Sequence, residues 1–97
     1  MKILAIDKLQ PGVNPETDIY PHLKEEAARA WELYNSGVFR ELYFKADHGG
    51  AVLMLECENV DEARQVLNTL PLVKAGLVDF DIIPLGPFLP FGALFAQ

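Results

Sequence analysis

The pattern of apolar and polar positions is clearest over residues 38–58, where two runs rich in β-branched and aromatic residues flank Asp47-His48-Gly49-Gly50. Glycines accept the positive φ of tight hairpin turns, so this stretch predicts a β-hairpin with His48 in its turn. Side chains alternate between the two faces of a strand, so the second run has one wholly apolar face that predicts a core. That face carries Ala51, Leu53, Leu55 and Cys57, and the opposite face carries Val52, Met54 and Glu56. In the first run, Leu42, Phe44 and Ala46 oppose Phe39, Glu41, Tyr43 and Lys45.

Two further strands and two helices are predicted around the hairpin. Strands cover residues 3–9, with apolar residues on both faces, and residues 78–83. After a loop over residues 10–16, a helix covers residues 18–36, with Asp18 as N-cap and Gly37 as the left-handed stop. A second helix begins at Asn59, with Glu62 in an approximate capping box, and ends at Pro71 before a connection over residues 72–77. The buried face of the first helix is predicted from its spacing to be Leu23, Ala27, Ala30, Trp31 and Tyr34.

The order βαββαβ predicts an α+β fold of the ferredoxin-like plan, a four-stranded antiparallel sheet with both helices on one face. A chain of 97 residues forms one domain. Its last segment, residues 87–97, is apolar but interrupted by Pro87, Pro90 and Gly92. This tail is predicted to be too irregular for a helix. It either folds over its own domain or packs on a partner subunit, and the uncovered sheet face favours the partner.

Charge and composition exclude some classes of binding partner. The net charge is -6, and no lysine or arginine cluster offsets it, which argues against binding of nucleic acid or an anionic membrane. A single cysteine excludes an intrachain disulfide, fits a reducing compartment and is expected to be inert packing. The sequence shows neither a signal peptide nor a membrane-spanning apolar run. We therefore expect a cytoplasmic protein.

Four segments carry a recognisable pattern, namely Gly37-Val38-Phe39-Arg40, Leu42-Tyr43, the strand ending near Glu56, and Leu70-Pro71-Leu72. Together they resemble the muconolactone isomerase-like branch of the dimeric α/β-barrel superfamily. The resemblance implies a homodimer whose sheets pack face to face, and higher homo-oligomers such as rings of dimers. It also implies a cofactor-free isomerase that moves a proton within a small unsaturated lactone or aromatic-catabolism intermediate. A cofactor-free monooxygenase and a non-catalytic oligomeric or small-ligand-binding module are the alternatives on the same scaffold.

A proton shift needs a base and an acid whose pKa values lie near the working pH. Histidine is the side chain type whose ordinary pKa lies nearest neutrality. His22 is predicted to lie at the start of the first helix and to act as the base, although a surface histidine is the alternative. Glu56, Asp79 and Asp81 share the predicted barrel-facing side of the sheet, where crowding would raise a carboxyl pKa. Structural ion pairs are the alternative for these acids.

The predicted substrate-binding residues are Tyr20, Trp31, Arg40 and Tyr43. Tyr20 would donate a hydrogen bond. Arg40 would hold a substrate carboxylate, or else pair with an acid or with the carbonyl end of the first helix. Trp31 and Tyr43 would form a pocket wall or, at their spacing, pack in the core. We expect no metal and no cofactor, because the histidines have no ligand cluster and Gly49-Gly50 joins two strands instead of opening a helix.

Overall fold

The computed structural model describes residues 1–47 and 49–96, so the predicted turn position of His48 lies outside the described residues. The strands are β1 (Lys2–Leu9), β2 (Phe39–Phe44), β3 (Ala51–Glu56) and β4 (Val78–Pro84). The α-helices are α1 (Leu23–Asn35), α2 (Val60–Leu67), α3 (Pro71–Lys74) and α4 (Pro90–Ala93). A π-helical turn at Pro15–Ile19 and a 3-10 turn at Tyr20–His22 precede α1.

The four strands form one antiparallel sheet in the order β2-β3-β1-β4. The core lies on the face that α1, α2 and α3 cover, so the predicted α+β, ferredoxin-like fold is confirmed. Ile3, Ala5, Leu53, Leu55 and Phe80 point into this core and are buried. No helix of the described residues is long and apolar enough to cross a membrane.

Strand β2 differs from the predicted alternation. Phe39 pairs with Leu55 and Leu42 pairs with Leu53, so both lie on the helix side. Uninterrupted alternation would place these two residues, which are three positions apart, on opposite faces. The register shifts between Phe39 and Glu41, and this bulge adds one residue to β2. The predicted grouping of Phe39 with Glu41 and Tyr43 is therefore wrong, whereas the core face predicted for β3 is confirmed.

Helix α1 begins at Leu23, so the predicted start at Asp18 is wrong. Helical turns begin earlier, because the Asn14 side chain accepts the Glu16 N–H at 3.0 Å and Pro15 suits the first position of a turn. Pro21, inside the 3-10 turn, has no N–H to donate, and α1 begins two residues after it. Asp18 instead accepts a hydrogen bond from the Asn14 N–H at 2.8 Å.

The predicted buried face of α1 is also wrong. Trp31 is 62% exposed and Tyr34 48% exposed, while Leu33 is the buried residue of the helix. Leu33 and Glu26 are seven residues apart, so they lie on the same side of α1, the side that faces the sheet. Trp31 lies on a neighbouring side of the helix, next to Leu42 of edge strand β2. Trp31 and the equally exposed Tyr43 are therefore not core residues.

Helix α2 confirms its capping prediction and corrects its end. The Asn59 side chain accepts the Glu62 N–H at 2.8 Å, and the Glu62 carboxylate accepts the Glu58 N–H at 3.1 Å. The helix ends at Leu67, not at Pro71, which begins α3 inside the predicted connection. Proline fits there because its fixed φ suits the first helical position.

The C-terminal tail does not cover its own domain. The chain measures 60 × 28 × 21 Å, and its radius of gyration is 15.7 Å, above the value of about 12.5 Å typical of a compact chain of this length. The tail contains the short helix α4, contrary to prediction. Packing of the tail on a partner stays a prediction. Its apolar side chains are more than half exposed, namely Phe88, Leu89, Phe91, Leu94 and Phe95.

The Asn59 cap can be tested by substitution. Asn59→Ala should lower the free energy of unfolding by about 0.5–2 kcal/mol, because the Glu62 N–H loses its acceptor. Urea denaturation followed by circular dichroism measures the change. Asn35→Ala at the exposed end of α1 is the matched control, and equal effects of the two variants would contradict the capping role.

Candidate functional site

A cavity of about 970 Å³ lies on the helix side of the sheet. Its exposed rim includes Tyr20, Phe44 and Gly49, so it opens beside the β2–β3 turn. Its inner wall reaches buried core residues, and most of the lining is apolar, as in sites for small organic ligands. The apolar lining includes Ile19, Leu23, Leu42, Leu53, Leu70, Leu72 and Phe80.

Glu26 brings a carboxyl group to this wall. Its side chain is half-buried, and one oxygen accepts the Leu72 N–H at the start of α3 at 3.0 Å. Burial raises the pKa of Glu26, and the negative charge of Asp7 raises it further. The hydrogen bond from Leu72 and the charge of His22 act in the opposite direction. Glu26 therefore holds a proton more readily than an exposed glutamate does.

Asp7 and Lys45 meet where the hairpin approaches β1. Gly50 has φ of +90°, and a Cβ atom there would lie 2.7 Å from Asp7 Oδ1 and 3.3 Å from Lys45 Nζ. Glycine suits this positive φ, and any larger residue would push the ends of these two side chains away. Asp7, Lys45 and Gly50 all line the cavity, so a negative and a positive side chain stand together at one wall.

The acids predicted from the sequence lie elsewhere. Glu56 and Asp81 are on the sheet face opposite the cavity, where Glu56 is 3.6 Å from the N-terminal ammonium and Asp81 is 2.8 Å from Lys8 Nζ. Asp79 lies 2.7 Å from Arg64 at the β4 edge. A hydrogen bond from the Phe80 backbone and the Arg64 guanidinium lower the pKa of Asp79, so the expected increase is wrong for this residue. A catalytic role for these acids stays a prediction.

The other predicted site residues divide between the cavity and the surface. Tyr20 and Tyr43 line the cavity, and the Tyr43 hydroxyl donates to Glu41 at 2.8 Å. His22 is half-buried, one helical turn before Glu26, and is not among the lining residues.

Arg40 and Trp31 lie outside the cavity. The Arg40 guanidinium donates to the Gly37 carbonyl at 2.6 Å, which is the contact with the end of the first helix that we gave as its alternative. Trp31 lies in a separate surface groove between α1 and β2. The structure thus brings Tyr20 and Tyr43 to one cavity but leaves Arg40 and Trp31 outside it.

Sequence reasoning missed Glu26, Asp7 and Lys45. Glu26 is four residues before Ala30 and seven before Leu33, so these three residues share one side of α1. A carboxyl group on an otherwise apolar side of a helix was the signal in the sequence that could have identified Glu26. Among the described residues, no three His, Cys, Asp or Glu side chains are grouped so that they could hold a metal ion.

Comparison with solved structures supports the fold. No protein-family model and no curated protein sequence matches the chain. The chain is similar in structure to 5-chloro-2-hydroxyhydroquinone dehydrochlorinase (TftG) from Burkholderia phenoliruptrix AC1100, solved in complex with 2,5-dihydroxybenzoquinone. The TM-score is 0.62 at 21% identity, over 89% of this chain and 94% of that chain. The likeness supports the ferredoxin-like fold.

The raised pKa of Glu26 predicts a pH-dependent effect of Glu26→Gln on stability. A folded-state pKa above the ordinary 4.5 means that the folded protein favours the protonated form, so stability falls as the pH rises through the folded-state pKa. Glutamine stays neutral and keeps an oxygen for the Leu72 N–H. The variant should therefore have a higher urea midpoint than the parent at neutral pH, and the difference should vanish below pH 4.5.

The exposed neighbour provides the control for this measurement. Glu25→Gln removes the same charge from the outer side of α1. A gain for Glu26→Gln that matched the gain for Glu25→Gln, or that persisted unchanged in acid, would contradict a burial effect at Glu26.

Proposed function

We propose that this protein is a cofactor-free isomerase of the muconolactone isomerase-like kind. It moves a proton within a small unsaturated lactone or a related aromatic-catabolism intermediate that binds in the helix-side cavity. The observation that carries this proposal is the Glu26 carboxyl, which has a raised pKa and lies on the wall of a largely apolar cavity of about 970 Å³. A carboxyl pKa raised toward neutrality suits a group that must both accept and return a proton.

One carboxyl group is enough for the reaction. Ionised Glu26 removes a proton from the γ carbon of the conjugated lactone, and the electron pair moves through the C=C–C=O system to give a dienolate. Protonated Glu26 then delivers the same proton to the carbon next to the carbonyl, the carbonyl reforms, and the double bond moves to the β,γ position. Atoms and electrons balance within the substrate, so the step needs neither an oxidant nor a reductant.

The dienolate oxygen needs a hydrogen-bond donor or a positive charge. The Lys45 ammonium and the Tyr20 hydroxyl belong to cavity-lining residues and can approach that oxygen. A carboxylate such as Asp7 cannot donate a hydrogen bond to the dienolate oxygen. Its negative charge instead helps to keep the pKa of Glu26 high.

The fold relative supports the size and chemistry of this substrate. TftG holds 2,5-dihydroxybenzoquinone, a compact oxygenated six-membered ring, on the same fold. A ring of that size needs only part of the cavity. We therefore propose a small cyclic substrate and not an extended chain.

Proton exchange provides the first test of Glu26. Wild-type protein and a panel of unsaturated lactones and ring-cleavage products, incubated in deuterated buffer, should show deuterium at the carbon that is deprotonated. Glu26→Gln should lower the rate about 10²–10⁴-fold, because glutamine cannot accept the proton. Glu25→Gln should leave the rate unchanged.

Three further variants separate this assignment from the sequence-based candidates. His22→Ala, Glu56→Gln and Asp81→Asn remove each alternative group without altering Glu26. A loss of exchange in one of these and not in Glu26→Gln would transfer the role of base to that residue. Ligand binding without exchange by the wild type would instead favour the non-catalytic binding module.

We also propose that two copies pair through the sheet face opposite the helices. Leu4, Ile6, Val52 and Met54 lie on this face, are only partly covered by their own chain, and would be buried in a two-fold dimer. Glu56, Asp79 and Asp81 lie on the same face or at its edge, so their proposed role includes ion pairing between subunits.

Light scattering tests this dimer. The wild type should be dimeric or larger at micromolar concentration, and Met54→Lys should shift it toward monomer because two like charges would meet near the two-fold axis. Ala28→Lys, on the exposed side of α1, is the control and should not change the mass. A monomeric wild type would contradict the proposed dimer.

A further inference from the structure

A carboxyl and an amine side chain meet near the mouth of the cavity. Asp7 follows Ile3 and Ala5 on the helix-side face of β1, so its side chain extends that face toward the cavity opening. The Lys45 N–H donates to the Gly50 carbonyl at 2.9 Å, which fixes the Lys45 backbone beside Gly50 at the end of the hairpin. Both side chains are only partly exposed. The backbone therefore holds two opposite charges at one point of the cavity wall.

The two charged ends lie over the same glycine. The position that a Cβ atom of Gly50 would occupy is 2.7 Å from Asp7 Oδ1 and 3.3 Å from Lys45 Nζ. A carboxylate only accepts hydrogen bonds, whereas an ammonium only donates them. The wall thus presents an acceptor and a donor side by side, in one short stretch of a largely apolar lining.

The remaining charges of the cavity argue against an anionic ligand. Glu26 also lines the cavity, near enough to Asp7 for their charges to interact. Lys8 is a lining residue too, but its ammonium points to Asp81 at 2.8 Å on the opposite face of the sheet. A carboxylate ligand would therefore meet two acids and one amine, and like charges placed together cost binding energy. A neutral ligand avoids this cost.

A neutral ligand satisfies both groups if it carries a donor next to an acceptor. A ring carbonyl accepts from Lys45, and a hydroxyl on the neighbouring ring carbon donates to Asp7. Both bonds involve a charged partner, so each is stronger than a bond between neutral groups. A ring without the hydroxyl leaves the Asp7 carboxylate without this bond, which costs affinity in a partly buried site.

We propose that Asp7 and Lys45 select a neutral cyclic substrate with a hydroxyl group on the ring carbon next to its carbonyl. Lys45 holds the carbonyl oxygen and Asp7 holds the hydroxyl group, so the pair fixes the orientation of the ring in the cavity. This assignment rests on the proposed function, because the carbonyl oxygen held by Lys45 is the one that becomes the dienolate oxygen. Asp7 and Lys45 determine specificity, and Glu26 remains the residue that moves the proton.

Saturated lactones test this selection without any isomerisation, because they lack the double bond that the reaction needs. The probes are α-hydroxy-γ-butyrolactone, β-hydroxy-γ-butyrolactone, unsubstituted γ-butyrolactone and paraconate, which is the same ring with a carboxylate. Each is titrated into isotope-labelled full-length protein, and its Kd is measured from NMR chemical-shift changes. The α-hydroxy probe should bind on the order of tenfold more tightly than the unsubstituted ring, and the other two probes should not.

Variants assign the preference to the two residues. Asp7→Ala should abolish the preference for the α-hydroxy probe and leave the affinity for the unsubstituted ring unchanged, whereas Asp7→Asn keeps an acceptor oxygen and should retain part of the preference. Lys45→Met should weaken the binding of both rings, because both accept a hydrogen bond from its ammonium. Asp61→Ala and Lys24→Met remove the same charges from exposed helix positions and are the controls, which should bind all probes as the wild type does.

Equal affinity for the α-hydroxy and unsubstituted rings would overturn the proposal, as would a preference that survives in Asp7→Ala. Tightest binding of paraconate would also overturn it, because Lys45 would then be an anchor for a carboxylate. These results are independent of proton exchange by Glu26. If the preference is found and Glu26→Gln exchanges normally, the selection stands and the reaction assigned to Glu26 fails. Exchange that depends on Glu26 without the preference retains the reaction and rejects this substrate class.

Discussion

The gap between α1 and the sheet is the constraint on which the rest of the structure depends. The chain covers one face of a four-stranded sheet with helices of only 13 and 8 residues, aided by α3. Helix α2 buries Ala63 and Leu67, whereas α1 buries only Leu33. Because α1 contributes so little to the core, close packing ends beneath it, and the cavity occupies the remaining space. The same loose packing of α1 leaves Trp31 exposed, so the cavity and the surface groove have one structural cause.

The fold then separates acidic groups into two environments. Asp79 receives a backbone hydrogen bond and the Arg64 guanidinium, both of which favour the ionised form. Glu26 lies beside apolar side chains and receives one backbone N–H, so burial dominates and its pKa rises. Opposite shifts of this kind separate a structural acid from one suited to proton transfer. Asp79 and Glu26 are both acidic residues, and what distinguishes them is their position relative to the gap beneath α1.

Much of this fold could be predicted because strand alternation and helix caps are local. The core face of β3 follows from alternation, and the Asn59 cap follows from residue spacing. The bulge after Phe39 was not predictable in this way, because one extra residue leaves no mark on composition. Periodicity also identified an apolar face on α1 but could not say what covers it. Trp31 and Tyr34 were therefore assigned to the core, and Glu26 was overlooked on the face that actually points inward.

The exposed apolar groove between α1 and β2 bears directly on how Glu26 would work. Its pKa is raised because nearby side chains keep water away, and that effect weakens wherever the wall is thin. Ala30 and Leu42 line both the cavity and the outer groove, so this part of the wall is in contact with water on its outer side. Replacing either residue with a polar one would let water closer to Glu26 and weaken the effect of burial on its pKa. The environment of the carboxyl therefore depends on two small and medium-sized apolar side chains that make no contact with the reacting atoms in the proposed mechanism.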